Sequence, residues 1–170
     1  ANYLANFMLV ATMNPCPCGY FGDPERESTC TASQILNYQR HLPGPLLDRI
    51  DLTVAVSRVS HDKLLQRKSL TTTQQNEAQE SVVKSRNLQN QRYKTSLKNN
   101  GSLNNRDIKA YIPLPSDAEQ ILNTAADKMQ LSARAYFKII KVARTIADLD
   151  ASETVCARHI AEALQYRQNT

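Results

Sequence analysis

Glycine is scarce in this sequence, and loops that wrap phosphate groups depend on it. Among the 170 residues only four are glycine, at positions 19, 22, 44 and 101, and none precedes Lys-Ser or Lys-Thr. A phosphate-binding loop of the Gly-x-x-x-x-Gly-Lys-Ser/Thr type is therefore missing. No apolar run ends in Asp-Glu, so the acidic pair that holds Mg²⁺ and water is missing too. We expect this stretch alone not to hydrolyse ATP.

Long apolar runs and a disulfide-type cysteine pattern are also lacking. No run approaches the roughly 20 apolar residues that a membrane span needs, so no membrane partner is expected. The four cysteines are unevenly spaced and no secretory leader precedes them, which favours a reducing, cytoplasmic setting. Because the sequence begins with Ala1 and becomes strand-like at once, we expect it to be a piece of a longer polypeptide.

The positive charge lies in the second part of the chain. Residues 1–60 contain four basic and five acidic residues, whereas residues 61–170 contain seventeen basic and eleven acidic residues. A basic surface can hold nucleic acid through its phosphates, although charge alone favours a solvated helical surface. The best candidate for a DNA contact is a long polar helix without interleaved aromatic residues, which contains Lys84, Arg86, Arg92 and Lys94.

Hydrophobic patterning predicts two strands followed by helices. Residues 7–12 form an apolar run that ends before Asn14-Pro15, and Leu52–Val56 alternates apolar and polar residues. Helical spacing follows, and we expect helices at 33–38, 62–68, 74–98, 104–111, from 116, 132–149 and 157–166. The predicted fold class is an α/β remnant (residues 1–60) followed by a mainly α-helical bundle (residues 61–170), predominantly α overall.

Local signals predict how several helices begin and which side chains pack. Ser116 and Glu119 have the spacing of a capping box, and Ser132 is the expected N-cap of the next helix. Arg144 lies among apolar residues, so we assign it to packing or a salt bridge. His159 and Tyr166 are expected to be packing residues rather than ligands.

Five stretches together resemble the magnesium-chelatase-related AAA+ ATPases of the ComM-like (YifB) group. They occur in the family's order and cover nearly the whole chain, with a looser match at about residues 61–110. The stretches are FMLVATMNPCPCGY (7–20), GPLLDRIDL (44–52), LSARAY (131–136), KVARTIADL (141–149) and HIAEALQYR (159–167).

The resemblance implies three residues that read ATP. Asn14 matches sensor 1, a strand-end side chain that positions the attacking water, although a turn former before Pro15 explains its position equally well. Arg49 matches the arginine finger, which reaches a neighbouring subunit's nucleotide; between two aspartates it is also explained by a surface ion pair. Arg134 matches sensor 2 at the start of a lid helix, in cis or in trans.

The resemblance also implies cofactors, partners and a function. It implies the last two strands of an AAA+ core followed by the helical lid, with ATP and Mg²⁺ bound between subunits of a hexameric ring. It implies work on DNA, as branch migration during transformation and recombination. A magnesium-chelatase-type ATPase subunit that drives metal insertion is the alternative within the family. A non-enzymatic helical module that binds nucleic acid and has a Cys-rich loop is the alternative of another class.

Three cysteines form a further candidate site. Cys16, Cys18 and Cys30 lie in a polar loop and could share Zn²⁺, but a closed structural site needs a fourth ligand. The resemblance suggests a second Cys-x-Cys pair, whose partner position falls on Ala32, and His41 is the candidate substitute. The sequence favours a turn-rich loop with reduced thiols over a Zn²⁺ site.

The family resemblance has one structural consequence for the two strands. In an AAA+ sheet the strand of the phosphate-binding loop lies between them. Because that strand is absent from this sequence, we expect residues 7–12 and 52–56 to be poorly supported and residues 61–170 to form the compact part.

Overall fold

The structure is a computed structural model that describes residues 7–41, 44–47, 49–56 and 72–167. The chain divides into two units. The first comprises Ala1–Leu47 and Val56–Arg58, and the second comprises Asp48–Ala55 and Val59–Thr170. The short helix predicted at residues 62–68 lies outside the described residues.

The first unit consists of an irregular loop followed by two helices. Helix α1 spans Ala32–Arg40 and the short helix α2 spans Gly44–Leu47. Thr31 caps α1, because its hydroxyl accepts a hydrogen bond from the Gln34 amide and the Gln34 side chain accepts one from the Thr31 amide. The predicted helix is confirmed, but Leu36, one of its apolar residues, is 54% exposed.

Neither predicted strand forms in the described residues. Residues 7–12 and 51–56 have no regular structure, and their apolar side chains are exposed, Met8 by 86% and Val56 by 88%. The strand predictions are wrong for this structure, because an apolar pattern shows what a sheet would bury but does not supply the neighbouring strand. The expectation that the two segments lack a shared neighbouring strand stays a prediction.

The second unit is the predicted helical bundle. Its described helices are α3 (Thr72–Tyr93), a 3₁₀ turn (Asn100–Ser102), α4 (Asn105–Tyr111), α5 (Ser116–Lys128), α6 (Ala133–Leu149) and α7 (Ala157–Gln165). Helix α6 lies at the centre and packs against α3, α4 and α7, while α5 packs against α7. The buried face of α6 includes Ile139, Ile140, Ala143, Ile146 and Ala147, as its spacing predicts.

Helix α3 packs through polar residues. The side chains it buries are Ser85, Gln89 and Tyr93, whereas Val82 and Val83 are 55% and 51% exposed. An apolar stripe is therefore missing from its buried face, apart from Tyr93. The helix ends at Tyr93, earlier than predicted, because Lys94 adopts a left-handed conformation with φ of 54°.

The structure confirms one of the two predicted helix N-caps. Ser132 caps α6 by accepting a hydrogen bond from the Ala135 amide at 3.2 Å. The spacing predicts Ser116 as the cap of α5, but Ser116 is the first helical residue, and Pro115 occupies the N-cap position without a side-chain hydrogen bond. The predicted capping box is thus wrong, because the extended backbone of Pro115 starts the helix one residue earlier.

Candidate functional site

Asn14 lies in the first unit beside the turn of the cysteine loop. Its side chain is exposed, and a Cβ placed on Gly19 would lie 3.9 Å from the Asn14 Cγ and Nδ2 atoms. Gly19 has φ of 82°, a conformation that other residues adopt at a cost. Its amide donates to the Cys16 carbonyl oxygen at 3.0 Å. The backbone that supports Asn14 therefore belongs to the cysteine loop.

The loop brings together the three predicted cysteines. The Sγ atoms of Cys16, Cys18 and Cys30 lie within 4.8 Å of one another, with Cys16 and Cys18 only 3.3 Å apart. None of the cysteines is in a disulfide. His41, the candidate fourth ligand, is not part of this cluster among the described residues.

Ser28 also belongs to the cysteine cluster, although it is not among the residues predicted from the sequence. Its hydroxyl lies 3.2 Å from the Cys18 sulfur and 3.6 Å from the Cys16 sulfur. It also accepts a hydrogen bond from the Cys30 amide at 3.2 Å. The residue beside the thiols is therefore Ser28 and not Ala32. A signal for it is present in the Ser28-Thr29-Cys30 spacing, which repeats the two-residue spacing of Cys16 and Cys18.

Hydrogen bonding strongly lowers the pKa of the Cys18 thiol. The pKa of Cys18 is lowered to about 5, chiefly because the Ser28 hydroxyl hydrogen-bonds its sulfur and also because the Tyr20 backbone does. Burial raises the pKa of Cys30. At neutral pH the loop therefore presents a thiolate at Cys18, the form that binds metals and reacts with electrophiles.

Arg49 lies in a segment that is attached to α6 and to the residue that follows α7. The Lys138 ammonium donates to the Ile50 carbonyl oxygen at 2.6 Å, and the Thr53 amide donates to the Tyr166 carbonyl oxygen at 2.8 Å. Ile50 is adjacent to the exposed Arg49. The backbone beside Arg49 is thus fixed near the N-terminal half of α6.

Arg134 occupies the same part of α6. It is the second residue of the helix, is exposed, and lies one helical turn before Lys138. Within the part of the chain that the structure describes, its side chain has no hydrogen-bond or ion-pair partner. A cation at a helix N-terminus is unfavourable unless an anion is also present, so this position suits a phosphate ligand. Arg134 and the backbone beside Arg49 are therefore both associated with the N-terminal half of α6.

Arg92, one of the four cations assigned to a DNA contact, is instead part of a buried network. Its guanidinium forms a two-point ion pair with Asp148, in which the Nη1–Oδ2 distance is 3.0 Å. The Asp148 side chain is fully buried and that of Arg92 is 20% exposed. Burial lowers the pKa of Arg92, but hydrogen bonds and charge interactions with Asp148 and Tyr93 together raise the pKa above its ordinary value. Arg92 is therefore not part of the candidate DNA surface.

Asp148 also accepts hydrogen bonds from two further side chains. The Arg144 Nε atom donates to it at 3.1 Å, and the Asn100 Nδ2 atom donates at 2.9 Å. Arg144 is 3% exposed and also donates to the carbonyl oxygens of Ser152 and Glu153. The prediction that Arg144 has a packing or salt-bridge role is confirmed. The stretch 141–149 thus holds α3, the 3₁₀ turn and the α6–α7 connection together.

Asn100 and Gln89 connect α3 to this network. The Asn100 Oδ1 atom accepts from the Tyr93 hydroxyl at 2.6 Å, and the Asn100 amide donates to Gln89 Oε1 at 3.1 Å. These bonds explain why α3 buries polar side chains.

His159 in α7 is also a structural residue. It is 1% exposed, and its Nδ1 atom accepts a hydrogen bond from the Cys156 amide. Its predicted packing role is confirmed.

The other three cations of the candidate DNA surface lie in the second half of α3 or just after it. Lys84 is 3.8 Å from Glu80, a pair in which both side chains are largely exposed. Arg86 contacts Gln89 at 3.5 Å, and Lys94 is exposed just beyond the helix.

Among the described helices, none has the length and apolar character of a membrane span.

Comparison with known proteins shows the family. The model for "Magnesium chelatase, subunit ChlI" matches residues 1–64, and the model for "Magnesium chelatase, subunit ChlI C-terminal" matches residues 72–167. The chain therefore belongs to the magnesium chelatase family of AAA+ ATPases.

Similarity to curated proteins agrees with this family assignment. The competence protein ComM of Haemophilus influenzae is 38% identical over 164 residues, which are 96% of this chain and 31% of that protein. The uncharacterized protein YifB is 35% identical in Salmonella typhimurium and 34% identical in Escherichia coli, each over 97% of this chain and 31% of that protein. The chain thus spans about a third of the length of these relatives.

Proposed function

We propose that this chain is the C-terminal part of an ATP-dependent AAA+ motor that acts on DNA. In this proposal Asn14 is sensor 1, Arg49 is the arginine finger and Arg134 is sensor 2. The family match supports the nucleotide role, and the similarity to a competence protein supports DNA as the partner.

The observation that supports the proposal most is the attachment of the Arg49 segment to α6. The hydrogen bond between Lys138 and Ile50 holds the residue next to Arg49 against the N-terminal half of α6, the helix that contains Arg134. Guanidinium groups bind phosphate oxygens through paired hydrogen bonds, and a helix N-terminus adds partial positive charge.

The guanidinium groups of Arg49 and Arg134 have the chemistry that binds the phosphate groups of a nucleotide. Bound ATP with Mg²⁺ would supply the phosphoryl group for transfer. Arg49 offsets charge that develops during transfer, Arg134 binds phosphate oxygens, and Asn14 orients water. In the proposed assembly these residues act at subunit boundaries of a ring.

Replacement of Arg49 by alanine in the full-length protein tests this proposal. An arginine finger contributes about 10³–10⁵ in rate, so Arg49→Ala should abolish ATP turnover while nucleotide binding persists. Turnover is measured as phosphate release, and binding is measured with a fluorescent nucleotide on the same preparation.

Arg106 offers a matched control for both arginines. It is an exposed arginine at the second position of α4, as Arg134 is in α6. Arg106→Ala should leave turnover unchanged. If Arg49→Ala abolished binding and turnover together, or if Arg106→Ala reduced turnover as strongly, the assignment of Arg49 would be wrong.

A magnesium-chelatase-type ATPase subunit is the second candidate, because both matching family models bear that description. The two functions differ in what stimulates hydrolysis. DNA should raise the ATPase rate of the full-length protein if our proposal is correct. Stimulation by a metal-insertion partner, with no response to DNA, would favour the second candidate.

A further inference from the structure

The cysteine loop is organised around sulfur rather than around an apolar core. In the described residues 7–41, Cys16 is the only residue that is buried, with 0% exposure. A segment of this length with one buried side chain cannot be held by hydrophobic burial alone. Small units of this kind are usually held by disulfides or by a structural metal, and none of these cysteines is in a disulfide.

The sulfur positions match those of a metal site. A tetrahedral Zn²⁺ ion with Zn–S bonds of about 2.3 Å places its sulfur ligands about 3.8 Å apart. The three Sγ atoms here all lie within 4.8 Å of one another, so small shifts bring them to that separation. The Phe21 amide donates to the Cys16 sulfur at 3.3 Å, the type of outer hydrogen bond that orients metal ligands.

We propose that this loop binds one Zn²⁺ ion through Cys16, Cys18 and Cys30, with the Ser28 hydroxyl at the fourth corner. Ser28 is suited to that corner because its oxygen lies 3.2 Å and 3.6 Å from two of the sulfurs. The thiols bind as thiolates and release their protons to the solvent. Since a neutral hydroxyl is a weaker ligand than a thiolate, the fourth position exchanges with water.

Zinc content and coordination test the proposal directly. The purified chain, reduced and loaded with Zn²⁺ before dialysis, should retain one zinc per molecule by elemental analysis. X-ray absorption should show three sulfur ligands and one oxygen ligand. Absence of retained zinc, with all four thiols reacting freely with a thiol reagent, would overturn the proposal. A persistent disulfide within the loop under the same reductant would overturn it as well.

Two substitutions locate the site. Ser28→Cys supplies a fourth thiolate, the ligand of closed structural Zn²⁺ sites, so resistance to a competing chelator should rise, and X-ray absorption should show four sulfur ligands. Cys156→Ser is the matched control, because Cys156 caps α7 outside the cluster; zinc content should not change. Unchanged affinity and three sulfurs in Ser28→Cys would show that Ser28 is not at the fourth corner.

Proteolysis supplies a readout that does not require measuring the metal. Arg26 is exposed and lies between Cys18 and Ser28. Zinc should slow tryptic cleavage after Arg26, and a chelator should restore it, whereas cleavage after Arg106 should be unaffected. Equal cleavage after Arg26 with and without zinc would contradict a metal-ordered loop.

Zinc would also order the backbone turn at Gly19, which lies against the Asn14 side chain. This consequence rests on the proposed nucleotide role of Asn14. The zinc measurements do not, so the metal site and the nucleotide role can fail separately.

Discussion

At the scale of single residues, Asp148 is the most constrained side chain of the helical unit. It is 1% exposed and accepts hydrogen bonds from Arg92, Arg144 and Asn100. A buried carboxylate is stable only when its oxygens are paired and hydrogen-bonded. The two guanidinium groups depend on it in turn, because removing the carboxylate leaves buried positive charge.

Asp148→Asn should therefore destabilise the protein strongly. Removal of one partner from a buried ion pair costs about 3–5 kcal/mol, and urea unfolding followed by circular dichroism measures the change. Asp107→Asn is the control, because its pair with Lys98 at 3.0 Å is more exposed and should cost about 1 kcal/mol or less. Equal destabilisation in the two variants would show that the Asp148 network contributes no more than a surface pair.

Part of this network is predictable from the sequence and the rest is not. Arg144 and Asp148 are four residues apart on one helix, a spacing that places them side by side. Arg92 is 56 residues from Asp148, and no local pattern shows which helical face of α3 meets α6. Composition and spacing alone consequently place Arg92 on a solvent-exposed surface.

At the scale of helices, the two serines at helix starts differ in an informative way. Ser132 accepts the Ala135 amide, whereas Ser116 makes no capping bond. Ser132→Ala should cost about 1 kcal/mol, and Ser116→Ala should change stability by less than about 0.5 kcal/mol. Thermal unfolding of both variants measures this. A larger destabilisation from Ser116→Ala would mean that α5 starts as the sequence pattern suggests.

Helix α3 and the residue that follows it make a separate prediction about DNA. If Lys84, Arg86 and Lys94 contact phosphates, their joint replacement by alanine should weaken DNA binding by the full-length protein. The slope of log K against log salt should fall by about 0.9 for each duplex phosphate that is no longer neutralised. Replacement of Lys109 and Lys128, which are exposed elsewhere in the bundle, is the control. An unchanged slope in the triple variant would exclude this surface.

Helix periodicity predicts most of the bundle, because apolar residues at helical spacing are buried wherever another helix covers them. It predicts the buried face of α6 but not that of α3, where Ser85 and Gln89 are buried. Their burial depends on hydrogen bonds to Asn100 and to each other, and those partners are defined by tertiary structure.

At the scale of the whole molecule, two apolar segments of this chain are exposed. Residues 7–12 and 52–56 have the pattern of strands, yet they are irregular and exposed here. A strand requires hydrogen-bonding neighbours along its length. The relatives are about three times as long as the matched region, so such neighbours are available in proteins of that length.

Amide hydrogen exchange tests whether the missing neighbours explain the exposed segments. In the isolated chain, amides of residues 7–12 and 51–56 should exchange rapidly while those of α6 are protected, because exchange rates follow local stability. In the full-length protein the same two segments should become protected, as strands of an AAA+ sheet would be. Helix α6 is the internal control, since its packing lies within this chain. Rapid exchange of both segments in the full-length protein would show that they are not strands, and Asn14 would then lack the strand end that a sensor 1 residue requires.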